Sequence, residues 1–132
     1  MGLKARLSQY GREVRKLRVD KDMNLRQMAE ALDVSSAYLS AIEKGDKPVP
    51  KHFPQKVVEA LGLALDGKEL RLLEEAVILD RGYVTVDIAK ASPQAQTVAM
   101  RFANALGALT DVQLDAVMMV ISRGARNRAP AR

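Results

Sequence analysis

Few side chains in these 132 residues have the types and spacing that covalent or metal chemistry needs. His52 is the one histidine, and there is no cysteine. A multi-histidine or thiolate metal site is thereby excluded, and so is a disulfide framework. No glycine-rich phosphate loop and no nucleophile elbow occurs, so the chain is not read as an enzyme and no cofactor or metal is expected. Charge is what carries a pattern. Residues 1–56 hold twelve Lys/Arg against seven Asp/Glu, residues 57–121 hold five against nine, and residues 122–132 hold four arginines and no acid. A basic N-terminal half beside an acidic middle points to a polyanion as the partner of one half only. Apolar residues make up 48% of the chain, enough for a packed core. No apolar run approaches the roughly 20 residues of a membrane helix. Met1 to Tyr10 alternates charged and apolar residues, unlike a signal peptide, and the lack of cysteine fits a cytoplasmic protein.

The elements that must position these charges read as helices. Leu3, Leu7, Tyr10, Val14 and Leu17 recur at steps of three and four and form one stripe, which Asp20-Lys21-Asp22 breaks. Asn24 has the chemistry of an N-cap for a helix over 25–32, with Met28, Ala29 and Leu32 inward. Asp33-Val34-Ser35 is a short turn. Ser35 caps a helix running to Lys44, with Leu39 and Ile42 as its buried pair and Gly45 as its end. Two short helices joined by three or four residues have the length signature of a helix-turn-helix. Prolines 48 and 50 stop the chain from continuing as helix, and a fourth helix follows over about 54–61. Asp66 and Glu69 form a capping-box pattern for a helix to about Asp80, with Leu70, Leu73 and Val77 on its core face. Tyr83 to Ile88 alternates β-branched residues and predicts a short strand. Ser92-Pro93 opens a helix with the stripe Val98, Phe102, Leu106. Thr110 and Gln113 form a second box before a last helix bearing Leu114, Val117, Met118 and Ile121. The expected fold is all-α: a bundle of four to five helices over 1–65, a helical region over 66–121 with one strand at 83–88, and a basic flexible tail over 122–132.

The string Met28-Ala29-Glu30-Ala31-Leu32-Asp33-Val34-Ser35-Ser36-Ala37-Tyr38-Leu39-Ser40-Ala41-Ile42-Glu43-Lys44-Gly45, with Val14-Arg15-Lys16-Leu17-Arg18 before it, resembles the Cro/CI-type helix-turn-helix of lambdoid phage repressors, the XRE type. The resemblance spans Tyr10 to Leu61. It implies that Ser36, Ala37 and Tyr38 lie at the exposed start of a recognition helix, 35–44, that enters the major groove, with Ala41 one turn on. Ser36 donates or accepts, Ala37 offers a methyl group to thymine, and Tyr38 bonds a phosphate or base edge. Ser35 caps that helix. Lys44, Lys47 and Lys51 are placed for phosphates, and Asn24 and Arg26 for the flanking backbone. Arg18 and Glu43 pair structurally between the first helix and the recognition helix. Two positions depart from the pattern: Leu25 stands where the family often has Gln, removing one backbone contact, and Asp33 stands where it often has Gly.

Family repressors usually bind inverted-repeat operators as dimers, so a homodimer on double-stranded DNA is expected. The dimer element is read as the 83–88 strand pairing across a two-fold axis through Tyr83, Val84, Val86 and Ile88, with Phe102, Leu106 and Met118 nearby. The function read from all this is a sequence-specific repressor of its own or a neighbouring operon. The alternative is an antitoxin that binds a toxin through its C-terminal half and autoregulates. Non-specific phosphate binding by Arg123, Arg126, Arg128 and Arg132 is a third reading, weaker than a solubilising tail.

Overall fold

The computed structural model describes residues 7–127 and divides the chain into two compact units, Met1–Val84 and Thr85–Arg132. The N-terminal unit holds five helices: α1 (Gln9–Asp20), α2 (Leu25–Leu32), α3 (Ser36–Lys44), α4 (Phe53–Ala60) and α5 (Lys68–Arg81). The C-terminal unit holds α6 (Pro93–Ala105), a short 3₁₀ turn (Leu106–Ala108) and α7 (Asp111–Asn127).

Local chemistry sets most of the helix ends. The Asn24 side chain accepts from the Gln27 amide at 2.8 Å, and the Gln27 side chain accepts from the Asn24 amide at 2.9 Å, a complete capping box. Ser35 accepts from the Tyr38 amide at 3.0 Å. Between these helices Asp33 takes the left-handed conformation, φ 59°, that closes α2. A short polar side chain tolerates that region better than most others do. Gly45 closes α3 at φ 86°. Further along, Ser92 caps α6 with Pro93 in its first turn, and Thr110 and Gln113 cap each other at the start of α7.

One core serves all five helices of the N-terminal unit. Tyr10 and Val14 from α1, Met28 and Ala29 from α2, Leu39 and Ile42 from α3, and Phe53, Val57 and Val58 from α4 are buried together with Leu70, Leu73 and Ala76 from α5. Each fully buried aliphatic among them contributes about 1.5–3 kcal/mol.

Several expectations need correction. The first helix begins at Gln9, capped by Ser8, and Leu3 lies outside the described residues. The Asp66/Glu69 box does not form: Gly67 is the N-cap of α5 and no side chain caps it. The boundary drawn at residue 65 is displaced, because Leu70, Leu73 and Ala76 complete the N-terminal core and the unit extends to Val84. No strand occurs over 83–88, nor elsewhere among the described residues. The alternation there is real, but a strand needs a ladder partner and the described residues offer none. Local side chains hold its polar groups instead. Arg81 donates to the Tyr83 carbonyl, Gln96 donates to the Ile88 carbonyl at 2.8 Å, and the Asp87 carboxylate accepts from the Ala89 amide. Nor is 122 the start of a tail, since α7 continues to Asn127; Arg128 and Arg132 lie outside the described residues.

The start of α1 is secured from far along the chain. The two carboxylate oxygens of Asp80, in the last turn of α5, accept from the Gln9 and Tyr10 amides, each at 2.9 Å. The Ser8 hydroxyl takes the Gly11 amide at 3.0 Å. The first three amides of α1 are thus all satisfied, two of them by a charged acceptor at the positive end of the helix dipole. Asp80→Ala is expected to cost about 1–2 kcal/mol, the range of a lost cap. Urea unfolding checks this, with a lower midpoint and an unchanged m-value as the expected result.

Candidate nucleic-acid interface

The candidate site is the outer side of α2 and α3, and its geometry depends on how α3 is fixed from beneath. The Arg18 guanidinium lies side-on against the Glu43 carboxylate, with Nη1–Oε2 at 2.5 Å and Nη2–Oε1 at 3.0 Å. Both side chains are buried. The two parallel bonds of such a fork restrict rotation as well as distance, so α3 is keyed to α1. Arg18 Nη1 also reaches the Met28 sulfur at 3.6 Å, which ties α2 to the same pair. Tyr10 closes the site from below. Its hydroxyl is buried with no hydrogen-bond partner, and burial, reinforced by the Glu43 charge, pushes its pKa far above the usual phenol range. The ring therefore stays neutral beside the ion pair.

A second lock joins α1 and α3 through backbone. The Glu43 carbonyl accepts from both the amide and the hydroxyl of Ser8, each at 2.9 Å. Such close approach requires Gly11. A Cβ there would overlap the Glu43 carbonyl oxygen and lie 2.9 Å from its carbon. Neither Gly11 nor Asp80 stood out in the sequence, because their partners are distant in the chain and no short motif marks them.

On this frame the start of α3 is open to solvent. Ser35, Ser36 and Ala37 are exposed, occupying the cap and the first two helical positions. Tyr38 is half-buried and packs against the core, with part of its side chain left at the surface. Ala41 is half-buried one turn later, while Lys44 is exposed at the last position of α3 and Lys47 and Lys51 are exposed beyond it. At the start of α2, Asn24 and Arg26 are exposed. The Asn24 side-chain oxygen is committed to its cap, which leaves the amide NH₂ for an outside acceptor. Arg26 sits 3.8 Å from Glu30 in a solvent-exposed pair, too weak to withhold the guanidinium from a phosphate. Leu25, where the family pattern often has Gln, packs against the core edge.

The expected dimer residues lie elsewhere. Tyr83 and Val84 end the N-terminal unit, with the Arg81 guanidinium stacked 4.4 Å from the centre of the Tyr83 ring. Val86, Phe102, Leu106 and Met118 are exposed in the C-terminal unit, and Ile88 is half-buried there. No helix among the described residues is long and apolar enough to cross a membrane.

A capped α2, a left-handed turn and a capped α3 with its outer start exposed together define a helix-turn-helix, a DNA-binding element of transcriptional regulators. Residues 9–73 match the family model described as a helix-turn-helix domain, and this segment is such a domain. Among solved structures it is similar to the clp gene regulator ClgR from C. glutamicum, with 31% sequence identity over 61% of this chain and 94% of that one, at a TM-score of 0.42. No curated protein matches.

Proposed function

We propose that this chain is a sequence-specific transcriptional regulator that binds an inverted-repeat operator as a homodimer and represses its own or a neighbouring operon. The reading is that α3 enters the major groove, Ser36, Ala37 and Tyr38 meet base edges, Ala41 lies along the groove, and Lys44, Lys47 and Lys51 neutralise phosphates with Asn24 and Arg26 at the flank. The observation that carries it is a contrast within one short helix. Ser36 and Ala37 are exposed, while Leu39, Ile42 and Glu43, which hold the helix in place, are buried. Rigid support under an exposed polar end is what base readout requires.

Binding to the DNA upstream of the protein's own gene, measured against random DNA across a salt series, tests this. A preference on the order of 10³ or more with a two-half-site footprint supports a dimeric operator-binding protein. Equal and steeply salt-dependent binding to both DNAs contradicts it.

The antitoxin reading draws on one observation, the exposed apolar residues of α6 and α7, among them Val98, Phe102, Met119 and Val120. On that reading a toxin covers them, and autoregulation through α3 is retained.

A further inference from the structure

The C-terminal unit has helices but no core. None of its described residues is buried, and α6 and α7 stand apart across an open apolar groove of about 560 Å³ that Val98 and Phe102 line from one side and Val117 and Ile121 from the other. At its centre α7 reads Val117-Met118-Met119-Val120-Ile121, five successive apolar residues that cover the whole circumference of the helix. Met118, Met119, Val120 and Ile121 are each more than half exposed. That one turn of α7 is apolar all round, and α6 faces one side of it only. Its far side is an exposed apolar surface open to a partner.

We propose that the cover is α7 of a second copy, crossing antiparallel on a two-fold axis at Met119. The charges along α7 select this occupant. Asp115, Met119 and Arg123 follow one another at steps of four and so lie on one ridge of the helix. A two-fold axis through Met119 sets Asp115 of each copy level with Arg123 of the other, about 6 Å along the helix to either side of the axis. The ridge is complementary to itself, as an isologous contact demands. Asp115 and Arg123 are both exposed, and neither forms an ion pair among the described residues. Met119 supplies an adaptable apolar centre between the two charged pairs. This surface rests on the homodimer reading above and gives it a location, replacing the 83–88 segment.

The experiment is sedimentation equilibrium of the full chain without DNA, at micromolar concentration. The expected mass is twice the 14.5 kDa of the chain. Asp115→Arg sets two arginines against each other twice over, and Arg123→Asp does the same with carboxylates. Each is expected to weaken self-association at least tenfold. The double variant Asp115→Arg/Arg123→Asp exchanges the partners and is expected to restore it. Met119→Asp is expected to give a monomer. Helix content by circular dichroism and the melting of the N-terminal unit verify that each variant folds. A wild-type monomer overturns the proposal, including one that changes mass only when a different polypeptide is added. So does a dimer indifferent to all four variants, or a double variant no better than the singles. The DNA-binding reading fails separately. A dimer that does not discriminate operator from random DNA leaves this interface standing, whereas a monomer that recognises a single half-site removes the homodimer with its interface and leaves DNA reading by α3 intact.

Discussion

Glu43→Ala is expected to lower the stability of the N-terminal unit by about 3–5 kcal/mol, because it strands the buried Arg18 guanidinium without its counter-charge. For a unit of this size that corresponds to a fall in Tm of roughly 12 °C or more. The comparison that gives the number meaning is Tyr38→Ala. Tyr38 is larger and lies on the same helix, but it is half-buried and its removal leaves no charge unpaired. Its Tm is expected to fall much less. The two variants are also expected to part in binding: Tyr38→Ala weakens DNA affinity while the fold persists, and Glu43→Ala loses binding in step with folding. Equal melting temperatures would show that the ion pair is not what keys α3 to α1.

Gly11→Ala is the second large effect, and its sign is unusual. Alanine in place of glycine inside an exposed helix stabilises by about 1 kcal/mol. At Gly11 the added methyl meets the backbone of Glu43, which has no rotamer through which to withdraw. Relief requires α1 and α3 to separate, which lengthens the two Ser8 bonds to the Glu43 carbonyl and disturbs the fork of Arg18 on Glu43. A loss of about 3 kcal/mol or more is expected, at the upper end of overpacking costs. Denaturant unfolding with circular dichroism measures it. A gain in stability would mean that the two helices do not approach this closely.

These two residues also show what the sequence could and could not reveal. The helix-turn-helix was legible because its signals are local: Asn24 and Ser35 as caps, Asp33 at the left-handed turn, Gly45 at the end, and apolar residues at helical spacing between them. The pairing of Arg18 with Glu43 became readable through family resemblance, since 25 residues separate them. Gly11 and Asp80 gave no such signal. Asp80 lies about seventy residues from the amides it caps, and in sequence it is one more acid at the end of an amphipathic helix. That same long-range cap, with Leu70, Leu73 and Ala76, is why α5 belongs to the N-terminal unit and the boundary falls later than residue 65. The 83–88 segment misled for a different reason. Alternating β-branched residues describe which side chains suit a strand, but not whether a second strand is there to pair with.

Ala37→Asp offers the most direct test of the central claim that the exposed start of α3 reads DNA. Ala37 is exposed at the second helical position, where a carboxylate favours the helix dipole, so Tm should hold or rise slightly. In a major groove the same carboxylate meets base-edge acceptors and flanking phosphates. The account predicts native stability with operator affinity reduced at least a hundredfold by electrophoretic mobility shift. A variant that binds operator DNA as tightly as the wild type would place the DNA-reading surface somewhere other than α3.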